Sequence, residues 1–171
     1  MTVLRSFLSD RYLPRTGGPL LKPNPEFILE LIHTVNTSPY PTHMSMTLAE
    51  IEFDKAVIRL KTGRCHLQPY GIVHGGVLAT LIDTATFWSV FMRIPEDSGL
   101  VNIDLKLNYL KPVETGLLIA EGRAIRTVKS ISYAEATLRD ANQDIVAHGT
   151  STLMTLPGKG LRMKFRKFLD E

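Results

Sequence analysis

The 171-residue chain contains a single cysteine, Cys65. One cysteine cannot form an intramolecular disulfide, so a disulfide-stapled scaffold is excluded and a reducing compartment is expected. The N-terminal residues also lack a sustained apolar stretch of signal-peptide length. We therefore predict a cytoplasmic location.

Motifs for several common chemistries are lacking as well. The sequence has no phosphate loop, no dinucleotide-binding fingerprint and no G-x-S-x-G nucleophile elbow. Cys65 and His66 are adjacent, but no second pair stands at metal-ligand spacing, so we predict neither a metal nor a bound cofactor. The net charge is only +3, which suits an anionic ligand and does not predict nucleic-acid binding.

The most informative stretch runs from Gln68 to Met92. It opens with the turn residues Pro69 and Gly71, continues with His-Gly-Gly, and is then almost entirely apolar. The run is too long for an ordinary strand, and its scattered polar residues argue against a membrane span. We predict a buried central helix over residues 75–91 and no membrane span.

Two features of this helix indicate chemistry. Gly75 and Gly76 stand at its start, where the first N–H groups lack helical partners and a ligand oxygen can approach closely. Asp83 is a carboxylate in an apolar run, which is costly unless it is hydrogen-bonded or functional. Gly75 and Asp83 are eight residues apart, or about 12 Å along one helix. If both act on one substrate, two antiparallel copies are needed, which predicts a homodimer with shared sites.

The pattern GIVHGGVLATLIDTA, followed by VNIDLKLNYLKPV, resembles the hotdog-fold acyl-CoA thioesterases of the phenylacetate-degradation type. That family has an amide residue six positions before the HGG histidine and an acid nine positions after it, where this chain has Gln68 and Asp83. The resemblance covers residues 44–156. It implies hydrolysis of an acyl-CoA thioester to a free acid and CoA, by homodimers that pair into tetramers.

The resemblance also implies a role for each candidate residue. The N–H of Gly75 binds the thioester carbonyl, where charge develops during acyl transfer. Asp83 acts either as a general base on water or as a nucleophile. Gln68 and Asn102 position the reactants.

Each candidate has a structural alternative. His74 is either a general base or a helix-entry residue whose ring bonds to the backbone, and we favour the second. Asp83 is otherwise a buried acid bonded to a threonine or to the partner chain. Gln68 is otherwise an ordinary loop residue, and Asn102 a solvent-facing strand residue.

The predicted contacts with coenzyme A are Gly76 and a basic cluster. Arg123, Arg126 and Lys129 lie near one strand and its turn, where they suit coenzyme A phosphates, although charged turns are often only solvated. A non-catalytic acyl-CoA binding or regulatory module is the alternative function. A hotdog dehydratase, with His74 opposite Asp83, fits the HGG context less well.

Periodicity and the resemblance together predict an α+β hotdog fold: an antiparallel sheet wrapped around one long helix, with an extra N-terminal helix. Asn24 and Pro25 predict the start of that extra helix, which ends near Asn36. The predicted strands cover 44–53, 56–61, 100–110, 117–128, 132–139 and 145–156. We divide the chain into an N-terminal extension (1–43), a hotdog domain (44–157) and a basic tail (158–171).

The tail and the first residues carry weaker signals. Leu161, Phe165 and Phe168 are spaced for one helical face. The tail either docks on protein, which we favour, or on an anionic surface. Residues 1–22 read as a short helix followed by a loop.

Overall fold

The computed structural model describes residues 21–169, so the prediction for residues 1–22 lies almost wholly outside the described part of the chain. The elements in chain order are β1 (Lys22–Pro23), α1 (Pro25–Asn36), α2 (Pro39–Met44), β2 (Met46–Glu52), β3 (Lys55–Lys61), a 3₁₀ turn (Arg64–His66), α3 (Gly75–Phe91), β4 (Gly99–Asn102), β5 (Lys106–Tyr109), β6 (Leu117–Thr127), β7 (Ile131–Arg139), β8 (Ile145–Leu156) and β9 (Phe168–Leu169).

Seven strands form one antiparallel sheet in the order β2-β3-β6-β7-β8-β4, with β5 also paired to β8. The remaining strands, β1 and β9, form a separate two-stranded ribbon. The long helix α3 packs against the sheet, and α1 begins where Asn24 caps the N–H of Glu26. The predicted α+β hotdog fold is therefore confirmed.

The central helix has the predicted bounds, Gly75–Phe91. Leu81, Ile82 and Ala85 on its inner side are fully buried against the sheet. The approach is so close that a Cβ on Gly122 of β6 would lie 2.0 Å from the carbonyl oxygen of Ala85. Only glycine permits this contact, which fixes the depth at which the helix lies in the curved sheet.

The prediction of one strand over residues 100–110 is wrong, because β4 ends at Asn102 and β5 begins at Lys106. Ile103 still donates its N–H to the carbonyl of Thr152, at 2.8 Å. The N–H of Thr152, however, is accepted by the carboxylate of Asp104 at 3.1 Å. A side chain thus takes the place of a backbone acceptor, and the chain leaves the ladder there.

The prediction that a strand begins at residue 44 is also wrong, because the short helix α2 occupies Pro39–Met44. Pro39 and Pro41 both stand in the first turn of this helix, where proline is tolerated. The helix ends at Met44, and its C-cap Ser45 has φ of 52°. Strand β2 follows directly from Met46.

The spacing of apolar residues predicts a helical face in the tail, but residues 158–169 form no helix. This segment ends in β9, which pairs with β1, and its backbone N–H groups are held by other parts of the same chain. The carboxylate of Glu30 accepts the N–H groups of Lys164 and Phe165 at 2.9 to 3.1 Å. The N–H of Gly160 bonds to the carbonyl of Asp97 at 2.8 Å. The tail therefore docks on its own chain, as favoured.

Candidate active site

The start of α3 presents one unoccupied backbone donor. His74 is the N-cap, in an extended conformation, and its ring Nδ1 accepts the N–H of Gly76 at 2.8 Å. The N–H of Gly75 has no acceptor within residues 21–169. Because first-turn N–H groups have no acceptor inside the helix, the Gly75 donor is left for a ligand. The ring of His74 therefore caps the helix, which is the alternative to a role as general base.

The side chain of Tyr109 on β5 contacts the start of α3. Its hydroxyl donates to the carbonyl of Gly75 at 3.3 Å, and a Cβ on Gly75 would lie 3.2 Å from the tyrosine ring. Sequence reasoning did not single out Tyr109, because it reads as an ordinary member of an alternating strand. Its proximity to Gly75 arises from the pairing of β5 with β8, which the sequence pattern does not encode.

Gln68 lies in the turn that leads to the same helix start. Its carbonyl accepts the N–H of Gly71 at 2.9 Å, and its own N–H bonds to the carbonyl of Ile72 at 2.9 Å. Gly71 has φ of 81°, a conformation that favours glycine. The turn therefore brings Gln68 close to the His-Gly-Gly segment, with its side chain half-buried.

Asp83 and Asn102 form a pair near the middle of α3. The Asn102 amide nitrogen donates to Asp83 Oδ1 at 2.7 Å and reaches the Asp83 carbonyl at 3.4 Å. Burial raises the pKa of Asp83, and the hydrogen bond from Asn102 partly lowers it again. A carboxylate with a raised pKa and an orienting amide is a better proton acceptor than an ordinary solvated carboxylate.

The predicted residues therefore form two groups along α3. Gln68, His74 and Gly75 lie at or just before the start of the helix. Asp83, eight residues after Gly75, forms the second group with Asn102 of β4. The helical rise separates Gly75 and Asp83 by about 12 Å along the axis. A single thioester carbonyl cannot contact both groups of the same chain.

The basic cluster lies on β6 and its turn. Arg123 and Arg126 pair across to Glu135 and Tyr133 of β7, on the sheet face that is directed away from α3. Arg123 donates to the carboxylate of Glu135 at 2.6 and 3.0 Å. This exposed ion pair is weak and screened by solvent, so phosphate binding by Arg123, Arg126 and Lys129 stays a prediction.

Two concave regions differ in character. A groove of about 390 Å³ on the outer sheet face contains Arg123 and other charged side chains, but none of the predicted catalytic residues. A pocket of about 290 Å³ opens beside Asp83, between α3, the end of α1, α2 and the tail. The second pocket is the one that reaches the candidate carboxylate. Its walls include Tyr40 and Leu161, which sequence reasoning did not connect to the site.

Within residues 21–169, no helix has the length and apolar content needed to cross a membrane. The same residues contain no group of three or more His, Cys, Asp or Glu side chains placed to hold a metal ion.

Comparison with known proteins gives a consistent assignment. Residues 70–147 match the thioesterase superfamily. The chain is 26% identical over 110 residues to 1,4-dihydroxy-2-naphthoyl-CoA hydrolase of Listeria monocytogenes, covering 64% of this chain and 89% of that protein. It is 23% identical over 109 residues to acyl-coenzyme A thioesterase 13 of Mus musculus, covering 63% and 77%.

Among solved structures, a thioesterase from Haemophilus influenzae superposes with a TM-score of 0.72 at 20% identity, covering 80% of this chain and 95% of the other. At that identity the superposition establishes the fold. The chain thus has the hotdog thioesterase fold, and the superfamily match together with the names of its relatives supports a thioester hydrolase.

Proposed function

We propose that the chain hydrolyses an acyl-CoA thioester to a free acid and CoA. The observation that carries the proposal is the pair of Asp83 and Asn102: a half-buried carboxylate, oriented by an amide, beside an apolar pocket. The two relatives named above are a CoA-thioester hydrolase and an acyl-CoA thioesterase, which supports the same substrate class. The spacing of Gln68, the HGG motif and Asp83 favours the phenylacetate-degradation-type subgroup.

In the proposed reaction the N–H of Gly75 binds the thioester carbonyl oxygen. Asp83 then acts in one of two ways. As a general base it takes a proton from water while the water oxygen bonds to the carbonyl carbon. The C–S bond breaks, and the proton on Asp83 passes to the departing CoA thiolate.

Alternatively, an oxygen of Asp83 attacks the carbonyl directly and expels the thiolate, giving a mixed anhydride that water then hydrolyses. Both routes regenerate the carboxylate. In both, the Gly75 N–H stabilises the negative charge on the carbonyl oxygen. Asn102 holds the carboxylate in place, and Gln68 orients the water or the carbonyl.

The proposed active unit is a dimer in which each site takes Gly75 from one subunit and Asp83 from the other. The sheet edge formed by β4 and β5 supports such an assembly. Val101, Ile103 and Tyr109 along this edge are 40 to 57% exposed. Within residues 21–169 no strand pairs with this edge. A sheet edge that carries exposed apolar side chains can pair with another copy of the chain. Pairing of two such dimers into a tetramer is implied by the family resemblance.

A hydrolysis assay over a panel of acyl-CoAs tests the function. Wild type should release CoA, and Asp83→Asn should lower kcat by at least about a hundredfold, the usual contribution of a positioned acid or base. Glu114→Gln, at an exposed turn acid, is the matched control and should leave kcat unchanged. A folded Asp83→Asn variant within about threefold of wild type would exclude Asp83 as the main catalyst.

His74→Ala serves as a comparison in the same assay. Because the ring of His74 caps Gly76, its loss should loosen the helix start and reduce activity less than Asp83→Asn does. The reverse order, an inert His74→Ala and an active Asp83→Asn, would transfer the role of base to His74.

A further inference from the structure

One face of α3 is left half-exposed by the sheet. Thr80, Asp83, Thr84, Phe87 and Trp88 recur at helical spacing, and all five are only partly buried. The opposite side of the helix is fully enclosed by strands. The half-exposed face is therefore the side from which a ligand reaches the carboxylate of Asp83.

The pocket of about 290 Å³ lies on this face. Its floor is Phe87 and Trp88, whose rings meet edge to face with centroids 5.0 Å apart. Tyr40 and Leu161 form its outer walls, and Asp83 is the only charged residue that lines it among residues 21–169. An apolar pocket that ends at one reactive polar group has the form of a small-molecule site.

We propose, on the basis of the proposed function, that this pocket holds the acyl group and that Tyr40 and Leu161 limit its length. Both residues lie outside residues 70–147, the part that matches the thioesterase superfamily. The substrate class that fits is an uncharged acyl group, aromatic or of short to medium chain length. The volume stands just below the roughly 300 to 1,000 Å³ of typical ligand pockets, which disfavours long chains.

Both walls are fixed by contacts away from the pocket. The Tyr40 hydroxyl is 2.9 Å from Thr80 Oγ1, which ties α2 to α3. Leu161 follows Gly160, whose N–H is held by the carbonyl of Asp97. It precedes Lys164, which is held by Glu30. The tail segment that carries Leu161 is thus anchored on both sides, so Leu161 is a defined wall.

The charge of the pocket lining also affects which acyl groups can bind. An acyl group ending in a carboxylate would place a negative charge in the pocket that holds Asp83. Within the described part of the chain, no basic side chain lines the pocket to compensate that charge. Burying an unpaired charge is strongly unfavourable. Acyl groups with a terminal carboxylate should therefore be poor substrates.

The test measures kcat/KM for saturated acyl-CoAs from butanoyl to hexadecanoyl in wild type, Leu161→Ala and Leu161→Trp. Each accommodated methylene is worth about fourfold. Leu161→Ala opens room for about two methylenes, so it should raise the dodecanoyl-to-hexanoyl ratio by about sixteenfold. Leu161→Trp should lower the same ratio. Leu161 is 45% exposed, so neither change should prevent folding. Leu169→Ala, in the same tail at 41% exposure and outside the pocket, is the matched control and should leave the ratio unchanged.

Calorimetry with non-hydrolysable alkyl-CoA thioethers in the same variants measures the Kd for each chain length independently of catalysis. If wild type hydrolyses no member of the panel, the proposed function is overturned. In that case, a difference between wild type and Leu161→Ala in how Kd depends on chain length would still support the assignment of the pocket to the acyl group. Ratios and Kd profiles of both Leu161 variants within twofold of wild type would overturn the pocket assignment. An equal shift in Leu169→Ala would overturn it too, because the effect would then come from tail docking.

Discussion

Asn102 influences the candidate base through a single hydrogen bond. Its amide donates to the Asp83 carboxylate, which favours the ionised form and opposes the rise in pKa caused by burial. Asp83 must be ionised to accept a proton, so kcat/KM falls as the pH drops through its pKa. Asn102→Ala removes the group that lowers this pKa. The acidic limb of the kcat/KM profile should therefore move to higher pH.

A pH–rate profile of wild type and Asn102→Ala, measured with one acyl-CoA substrate, checks this shift. Asn108→Ala, at an exposed position of β5, is the matched control and should keep the wild-type profile. A limb that stays in place, or moves to lower pH, in Asn102→Ala would contradict a direct effect of Asn102 on Asp83.

At the scale of residues, the sequence allowed Asp83 to be predicted because a carboxylate in an apolar helix needs an explanation. Asn102 could be placed on the polar side of a strand, but its contact with Asp83 depends on how β4 lies over α3. Tyr40 and Leu161 could not be predicted. They are far apart in sequence, and they share a pocket only because α2 and the tail pack against one helix face.

At the scale of elements, the central helix was predicted to the residue because its start and its apolar run are both local signals. The break between β4 and β5 was missed because Asp104 looks like any polar member of an alternating strand. Its effect comes from accepting the N–H of Thr152 on β8. The fold of the tail was likewise missed, because its partners, Glu30 and the end of α3, are distant in sequence.

The tail also closes the C-terminal end of α3 through a buried lysine. Lys167 Nζ donates to the carbonyls of Phe91 and Ile94 at 2.6 and 2.9 Å. It lies 4.3 Å from the centre of the Phe91 ring. A cation at a helix C-terminus is favourable because the last carbonyls lack partners. Burial nevertheless lowers the pKa of Lys167 to about 8, with Glu96 opposing the effect.

This lowered pKa predicts a pH dependence of stability. The pKa of Lys167 is about 8 in the folded chain and 10.5 ordinarily. Between these values the unfolded chain binds more protons, so the free energy of unfolding should rise with pH across this window. The contribution of Lys167 is at most about 3 kcal/mol. Below pH 8 both states are protonated and the contribution is constant.

Urea unfolding of wild type and Lys167→Met from pH 7.5 to 10.5 measures this contribution. The difference between the two should grow in favour of wild type as the pH rises, because Met carries no titrating group. Lys159→Met, at an exposed position of the same tail, is the control and should parallel wild type. Parallel curves for wild type and Lys167→Met would show that Lys167 keeps an ordinary pKa.

At the scale of the whole molecule, the proposed shared-site dimer can be tested by mixing two inactive variants. Asp83→Asn lacks the carboxylate. Gly75→Pro lacks the N–H donor, and proline is tolerated at the first helical position. Gly75→Ala is the matched control, because it meets Tyr109 in the same way but keeps the N–H. It should retain far more activity than Gly75→Pro.

A heterodimer of Asp83→Asn and Gly75→Pro has one site with both groups and one site with neither, since two-fold symmetry repeats each contact. Random exchange makes half of the dimers mixed, so an equimolar mixture should recover about a quarter of wild-type activity. The two variants carry different affinity tags, so heterodimers can be isolated and should reach about half. Isolated, folded heterodimers at the background rate would contradict the shared site, and so would an active monomer. Since the helical rise keeps Gly75 and Asp83 about 12 Å apart, either result would also require a different donor for the thioester carbonyl.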